Sequence, residues 1–300
     1  MSQIYWVGGT SGDFSVAGNW SGAAVPVAAD DVYLTNNAVD ITLGLNQSAI
    51  TLNSLNVDQS YTGKIAAAGT YLQINATTLN IGKASGDQSA SGSQRIHLNG
   101  TFTTANIVDT GQSSADSGFQ PVCLLGTIAT LNVRSGRLGV AVLTPIETAT
   151  VTTVNITQSD TASSSPVVTF GIVALTTANI EAGKLIHKGT GTVTTAKVVG
   201  GEYRVESSSL HTTLSVESGK VVYNGTGTIT TLNVYDATVD FSNDPRPKTV
   251  TNLNVYKNAK LNLQTGVLGS VTVTNGIKVN GCDLDSVSIK VGTDRVLSLS

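Results

Sequence analysis

GKLIHKGTGTVTTAKV at residues 183–198 and GKVVYNGTGTITTLNV at residues 219–234 are two closely similar stretches of this 300-residue chain. Their starts lie 36 residues apart. Such a pair is typical of a duplicated domain or of two turns of a solenoid. Between the copies stands HTTLSV at residues 211–216, which matches VTTAKV at residues 193–198 with half that spacing. The shorter period favours the solenoid.

The same six-residue unit recurs along most of the chain. It consists of an apolar residue, two Thr, a second apolar residue, a polar residue that is most often Asn, and a third apolar residue. It begins at residues 52, 76, 102, 128, 151, 175, 193, 211, 229 and 250, so that successive starts are 18 to 26 residues apart. Repeats of this length predict a single-stranded parallel β-helix, in which each unit belongs to one coil.

Strand geometry assigns a direction to each position of the unit. The fourth and sixth residues share one face of a strand and point into the core, which stacks Leu79, Ala105 and Leu131 in one column. The two Thr residues follow another apolar residue and predict a bend. The fifth residues face outward as a ladder, and its predicted members are Asn56, Asn80, Asn106, Asn132, Asn155, Asn179, Asn233 and Asn254.

The composition agrees with an all-β fold and argues against some classes of function. Charged residues make up 12% of the chain, about half of the usual ~25%, and the abundant Thr, Val and Ile suit strands. The net charge of -3 and the absence of a Lys/Arg run argue against a nucleic-acid partner. No apolar stretch approaches the ~20 residues of a membrane helix, and the start, MSQIYWVGGTSG, lacks signal-peptide features. We therefore expect cytoplasmic synthesis without membrane insertion.

Coil length divides the predicted solenoid of residues 51–300. Coils up to about residue 180 carry Ser/Gly-rich insertions, such as GKASGDQSASGSQR at residues 82–95 and TQSDTASSSP at residues 157–166. From about residue 175 to residue 240 the coils have 18 residues and no insertion. The insertions are interpreted as loops on one side of the solenoid.

Residues 1–50 lack the repeat and contain both tryptophans. The first coil of a solenoid exposes a strand edge and an apolar core, and both need a cap. Trp6, Trp20, Pro26 and Tyr33 suit such a cap. They also suit a surface that attaches the protein to a larger particle, because Trp and Tyr are common interface anchors. Both interpretations stay open at this point.

Sequence motifs for catalysis or for metal binding are few. His97, His187 and His211 show no metal-like spacing, and His211 occupies an apolar place in the repeat. Arg95 shares a strand face with His97, and we interpret that face as solvated. No nucleophile elbow or phosphate-binding loop occurs. Cys123 and Cys282 are interpreted as buried thiols, with a disulfide as the alternative. We therefore expect no enzymatic activity, metal or cofactor.

The best carboxylate pair is Asp283 and Asp285, which would share one face of a strand. Their carboxyl groups would lie roughly 6–8 Å apart, which overlaps the separation found in inverting glycosidases. The competing interpretation is a polar cap at the carboxyl end of the solenoid. Asp30 and Asp31 are adjacent and are interpreted as turn or capping acids.

Aromatic residues are too few for an obvious sugar-binding groove. The chain has 2 Trp, 8 Tyr and 5 Phe. Four tyrosines fall in the later coils, where they would form either a sparse surface stripe or the edge of the core. They are Tyr203, Tyr223, Tyr235 and Tyr256.

The TTLNV and TTANI units, together with the opening GNWSGAAVPVAADDVYL at residues 18–34, resemble the β-helical surface proteins of tailed bacteriophages. They also resemble the β-helical passengers of bacterial adhesins and autotransporters. A passenger would carry a signal peptide and a translocator barrel, so their absence favours the phage resemblance. The resemblance implies a right-handed coil and a homotrimer.

These observations predict a non-enzymatic structural protein on the virion surface, a trimeric capsid decoration (cement) or head-spike protein. Its expected partners are two further copies of the chain and the major capsid protein or another virion protein. One alternative is a tailspike-like receptor-binding protein or depolymerase that acts on host-surface glycan. The other is a bacterial surface adhesin.

Overall fold

The structure is a computed structural model that describes residues 2–9, 11–67, 69–82, 96–110, 120–158, 165–265, 269–280, 288–290 and 296–297. Arg95, Cys282, Asp283 and Asp285 lie outside the described residues, as does most of each Ser/Gly-rich insertion. The chain forms two compact units. Unit 1 contains residues 1–152 and 157–169, and unit 2 contains residues 153–156 and 170–300.

Unit 1 begins with short elements and continues with long strands. Two 3-10 helical turns occupy Ala17–Asn19 and Ser21–Ala23. The strands are β1 (Gln3–Tyr5), β2 (Asp31–Leu34), β3 (Asn46–Val57), β4 (Leu72–Ile81), β5 (Ile96–Ile107), β6 (Val122–Val133) and β7 (Arg137–Val140). Strands β8 (Thr148–Ile156) and β9 (Val167–Phe170) contain the boundaries between the units.

Unit 2 is built from shorter strands. Its first strands are β10 (Ile172–Ile180), β11 (Lys184–His187), β12 (Val193–Val198), β13 (Glu202–Val205), β14 (His211–Val216), β15 (Lys220–Tyr223), β16 (Thr228–Val234) and β17 (Thr238–Asp240). The remaining strands are β18 (Lys248–Val255), β19 (Lys260–Asn262), β20 (Gln264–Thr265), β21 (Gly269–Val273), β22 (Ile277–Val279), β23 (Ser288–Lys290) and β24 (Val296–Leu297).

Strands of successive coils pair in parallel, as the repeat predicts. In unit 1, β3, β4, β5 and β6 pair in order. In unit 2, β10, β12, β14, β16 and β18 form one ladder, and β11, β13, β15, β17 and β19 form another. The repeat units align residue by residue, with Thr104 opposite Thr130 and Leu214 opposite Leu232. The predicted all-β parallel solenoid is therefore confirmed.

Burial along the unit follows the predicted inward and outward directions. In β14 the first, fourth and sixth residues are buried, while the two Thr residues and the fifth residue are at least partly exposed. The three-residue step from the first to the fourth position breaks the two-residue alternation of a regular strand. The strand therefore changes phase at the Thr pair, where the sequence predicts a bend.

The core consists of apolar columns that run from coil to coil. Leu79, Ala105 and Leu131 are fully buried and follow one another in register. Burying one Leu, Ile or Val side chain contributes about 1.5–3 kcal/mol relative to leaving it in water. Each repeat adds three buried side chains, most of them Leu, Ile or Val, so the repeat is mainly a device for building the core.

Glycines allow the short coils of unit 2 to turn tightly. Gly183, Gly201 and Gly219 have φ values of 67°, 68° and 77°, which favour glycine because it has no Cβ. A Cβ on Gly219 would lie 2.6 Å from the carbonyl oxygen of Gly201, and one on Gly201 would lie 2.4 Å from that of Gly183. These stacked glycines fix the corner that precedes the second strand of each coil.

The amino-terminal segment belongs to the same parallel ladder as the repeats of unit 1. Strand β1 pairs in parallel with β2, and β2 pairs in parallel with β3. An antiparallel bridge joins Trp6 to Trp20 beside these strands. The ladder therefore starts before residue 50, in strands whose sequences do not show the repeat.

Candidate functional site

The outward amides of unit 1 form a continuous ladder. The Nδ2 atom of Asn80 donates to Oδ1 of Asn56 at 2.8 Å, Asn106 donates to Asn80 at 2.9 Å, and Asn132 donates to Asn106 at 2.9 Å. Each bond joins one coil to the next. Because these half-buried amides bond to one another, the ladder works as a stacking device.

The corresponding ladder of unit 2 is interrupted. Asn179 donates to Asn155 at 2.9 Å, but the next two coils place Lys197 and Ser215 in this column. The amide bonds resume further on, where Asn233 donates to the Ser215 hydroxyl at 3.0 Å and Asn254 donates to Asn233 at 2.8 Å. Unit 2 therefore lacks the unbroken row of amides that unit 1 has.

The two tryptophans of the predicted cap are core residues. Trp6 and Trp20 are each 2% exposed, and their rings meet edge to face at 4.9 Å. The indole N–H of Trp20 donates to the Phe14 carbonyl at 2.7 Å, and that of Trp6 donates to the Val39 carbonyl at 3.3 Å. Pro26 is buried as well. These side chains fill the interior of the first coils.

The fourth residue of that set, Tyr33, lies at the surface with a partner that the sequence did not indicate. Its ring stacks on Tyr5 at 5.0 Å with 19° between the planes. Tyr5 is aligned with Tyr33, and Tyr33 is aligned with Asn56, so the two tyrosines occupy the start of the amide column. Large exposed apolar residues of the same segment are Val7, Val16, Val27 and Leu43. An attachment role for this segment stays a prediction.

The acids of the first coils hold turns and strands together. Asp30 accepts hydrogen bonds from the backbone N–H groups of Ser2 at 3.1 Å and Val27 at 3.0 Å. Asp31 accepts from the side chains of Asn53 at 2.7 Å and Ser54 at 2.6 Å, and these bonds lower the pKa of its carboxyl group. Both acids therefore serve the structure.

Two histidines lie in the core of unit 2. His187 and His211 are fully buried, and burial lowers the pKa of His187 to about 3 and that of His211 to about 4. Tyr203 and Tyr223 lie in the same core. The sequence indicated the apolar position of His211, but nothing in the pattern indicated this shared polar cluster.

The other two tyrosines of the later coils form a pair at the surface. The rings of Tyr235 and Tyr256 stack at 4.1 Å with 16° between their planes, and both residues are half-buried. One face of each ring is therefore covered by its partner. Sugars bind aromatic side chains through the ring face, so this pair offers less platform than its two rings suggest.

A further cluster in unit 1 is partly or fully buried, and its members are spaced by whole coils. Tyr71, His97 and Cys123 follow one another at 26-residue intervals, and Glu147 comes 24 residues later. The Tyr71 hydroxyl donates to Oε1 of Glu147 at 2.8 Å, its ring lies 5.9 Å from that of His97, and His97 is aligned with Cys123. Coil-length spacing was the signal that could have revealed this cluster.

The chemistry of this second cluster is limited by burial. Burial and the nearby Glu147 raise the pKa of the Cys123 thiol to about 12, so the thiol stays protonated at neutral pH. A protonated thiol is a poor nucleophile and a poor metal ligand. The other oxygen of Glu147 accepts the backbone N–H of Leu143 at 2.9 Å. The cluster therefore resembles a packing contact more than a reactive site.

Other kinds of site are scarce among the described residues. The described residues contain no group of three or more His, Cys, Asp or Glu side chains arranged to hold a metal ion. Within the same part of the chain, no helix is long and apolar enough to cross a membrane. Compared with family models, with curated proteins and with solved structures, the chain gives no match.

Proposed function

We propose that the chain is a non-enzymatic structural protein of a bacteriophage virion, a homotrimeric capsid decoration (cement) or head-spike protein on the particle surface. The observation that carries this proposal is the way in which the polar side chains of the repeat are bonded. The polar residues of the repeat bond from coil to coil, as in the bonds between Asn56, Asn80, Asn106 and Asn132. A solenoid whose repeated polar residues bond one coil to the next is suited to a mechanical role.

The distribution of aromatic residues supports the same proposal. The larger rings lie in the core, among them Trp6, Trp20, Phe102, Phe170 and Phe241. At the surface, Tyr5 stacks on Tyr33 and Tyr235 stacks on Tyr256. Polysaccharide cleavage needs a pair of carboxylates, and a sugar is held by free aromatic ring faces. Among the described residues, the stacking of these two pairs covers one face of each ring, which favours a structural role over a depolymerase.

The placement on a phage particle is supported by the likeness of the repeats and the opening segment to β-helical phage proteins. The surface that we assign to particle attachment is the Tyr5–Tyr33 pair, together with the exposed apolar residues Val7, Val27 and Leu43 of the same segment. Aromatic and aliphatic side chains of this kind are common anchors at interfaces. In a trimer three such surfaces act together, which raises avidity through effective concentration.

The test is cryo-electron microscopy of intact particles from the source, combined with sedimentation equilibrium of the purified chain. We expect a trimer in solution and density for the solenoid on the capsid at three-fold or quasi-three-fold positions. Density at the tail tip, or cleavage of host polysaccharide by the purified chain, would overturn the proposal in favour of a tailspike.

Variants can then locate the attachment surface. In co-sedimentation with particles that lack the protein, Tyr5→Ser combined with Tyr33→Ser should lower binding at least tenfold. The matched control is Tyr235→Ser with Tyr256→Ser, which removes the other stacked pair and should leave binding unchanged. Equal losses in the two double variants would contradict the assigned surface.

A further inference from the structure

The core of the short coils in unit 2 contains a polar cluster where the neighbouring coils have apolar side chains. His187 is aligned with Val205 and Val205 with Tyr223 in the ladder of β11, β13 and β15. His211 stands between Val193 and Ile229 in the ladder of β12, β14 and β16. Both imidazole rings therefore occupy positions that the fold otherwise fills with hydrocarbon.

The hydrogen bonds of His211 can be satisfied by a neutral ring. Its Nε2 atom lies 2.7 Å from the hydroxyl of Tyr203, and its Nδ1 atom lies 3.3 Å from the carbonyl oxygen of Ser209. A carbonyl can only accept, so Nδ1 carries the proton and donates to Ser209. Nε2 then accepts from the Tyr203 hydroxyl. A second proton on Nε2 would reverse that hydrogen bond, so that the Tyr203 oxygen accepts and its own hydroxyl proton needs another acceptor in the core.

His187 lies in a less favourable environment. It is fully buried, and neither ring nitrogen has a hydrogen-bond partner. Its nearest aromatic neighbour is Phe170, which it meets edge to face at 6.3 Å. A neutral imidazole tolerates such a site at the cost of unpaired nitrogens, whereas an imidazolium would be a buried charge without a counterion.

The titratable and charged groups around the two rings do not offer a counterion. Tyr203 and Tyr223 face the cluster from β13 and β15, and burial raises the pKa of both hydroxyls, which keeps them neutral. The charged residues of β11, β13 and β15 are partly or fully exposed on the opposite face of that ladder, and they are Lys184, Glu202, Arg204 and Lys220. In the ladder of β12, β14 and β16 the charged residue is Lys197, which is also exposed. Lys188 and Glu206 follow β11 and β13 in partly or fully exposed turns.

We propose that His187 and His211 make the short coils of unit 2 an acid-sensitive element, which opens when either ring is protonated. The closed core has no place for an imidazolium, so protonation requires the ring to reach water. Reaching water means separating strands β11–β15 from the packing that closes the coil. This inference is independent of the proposed function.

The sign and range of the effect follow from the two protonation equilibria. The folded-state pKa values lie below the ordinary value of about 6.5, so the open state binds more protons than the closed state. Closure is therefore fully favoured above about pH 6.5 and is progressively lost as the pH falls towards 4. Inside this window each histidine shifts the opening equilibrium by up to tenfold per pH unit, and the pair by up to about a hundredfold.

The test is hydrogen exchange of the full chain between pH 7.5 and 4.5, followed by mass spectrometry, with exchange times scaled to keep the intrinsic rate constant. Peptides from residues 183–241 should lose protection steeply below pH 6.5. His187→Phe should make this loss shallower, since Phe170 and Phe241 show that the core accepts a phenyl ring. His211→Val is combined with Tyr203→Phe so that no hydroxyl is left unpaired.

The variant that carries all three substitutions should keep its protection constant over this pH range. A loss as steep as in the wild type would overturn the proposal. If that variant does not fold, the wild type can be tested by nuclear magnetic resonance of 13C-labelled histidine. Signals of two histidines that stay neutral down to pH 5 and then change together with unfolding would support the proposal. Reversible titration of both near pH 6.5 without opening would overturn it.

Discussion

The long coils of unit 1 and the short coils of unit 2 use one repeat but join their coils differently. In unit 1 the bonded amides from Asn56 to Asn132 span coils of 24 or 26 residues. In unit 2 the coils between about residues 175 and 240 are 18 residues long, as between Ser215 and Asn233, and the amide row is interrupted. There the outer face of β11, β13 and β15 carries ion pairs, among them Lys184 with Glu202 at 3.4 Å.

This difference shows that the apolar columns define the coil, whereas the residue types in the outward-facing columns can vary. Both units bury the first, fourth and sixth residues of the repeat, as β4 in unit 1 and β14 in unit 2 show. The longer coil also extends its strand, with twelve residues in β5 against six in β14. The extra length carries the cluster of Tyr71, His97 and Cys123, which the short coils of unit 2 lack.

The largest effect should come from the interior of the first coils. Trp20→Ala removes a ring that is packed against Trp6 and Phe14, at 4.9 and 4.6 Å between ring centres. Truncating a buried Trp typically costs about 3–5 kcal/mol, so we expect urea denaturation to show a loss of this size. The control is Val27→Ala at a residue that is 60% exposed, which should change stability by less than about 0.5 kcal/mol.

This first variant also separates the two interpretations of the tryptophans. A cap residue should lower the free energy of unfolding when it is truncated, whatever the particle does. If Trp20→Ala keeps wild-type stability and loses binding to particles, Trp20 acts as an anchor and its buried position is not the basis of its role.

The next effect concerns the amide row of unit 1. Asn106→Ala removes the bond to Asn80 and the bond from Asn132. At about 0.5–1.5 kcal/mol for each hydrogen bond, the expected loss is roughly 1–3 kcal/mol, measured by urea denaturation. Thr103→Ala, at an exposed position of the same strand, is the matched control. Equal effects of the two variants would mean that the row contributes nothing to coil stacking.

The sequence predicted those parts of the fold that the repeat encodes. The column of Leu79, Ala105 and Leu131 follows from the spacing of the units and the two-residue period of a strand. The amide row follows in the same way, because the fifth residue of each unit must face outward. Both features depend on local patterns repeated at a fixed interval, which a single sequence displays directly.

Features without a repeated pattern escaped prediction. Strands β1 and β2 continue the parallel ladder, but they have Tyr5 and Tyr33 at the position where the repeat has Asn. The sequence therefore does not reveal the register of these two strands. The hydrogen bond between His211 and Tyr203 depends on how two strands of one coil face each other across the core. That geometry is set by the corners of the coil, and the sequence of the strands does not encode it.

A gain of stability should follow when unit 2 is given the amide row of unit 1. Lys197→Asn with Ser215→Asn would connect Asn179 to Asn233 through two new amides. The substitution removes the exposed ion pair of Lys197 with Glu217, which is worth at most about 1 kcal/mol. Two added hydrogen bonds of about 0.5–1.5 kcal/mol each should leave a net gain near 1 kcal/mol in urea denaturation.

The control for this gain is the single variant Lys197→Ala, which removes the ion pair without adding an amide. It should be neutral or slightly destabilising. If the double variant is no more stable than Lys197→Ala, the amide row of unit 1 depends on features of the long coil beyond the residue type.

The smallest effect should come from the ion pairs of unit 2. Glu202 lies 3.4 Å from Lys184 and 3.0 Å from Arg204, and its side chain is 21% exposed. Partly exposed pairs contribute about 0.2–1 kcal/mol each, so Glu202→Gln should cost about 1 kcal/mol at low salt. Salt of about 1 M shortens the screening length to ~3 Å, and the cost should then fall towards zero.

Asn106→Ala is the contrasting variant, since a neutral hydrogen bond is screened far less and its cost should persist at high salt. A cost of Glu202→Gln that does not depend on salt would show that its side chain acts through packing, and the electrostatic contrast between the units would then no longer hold.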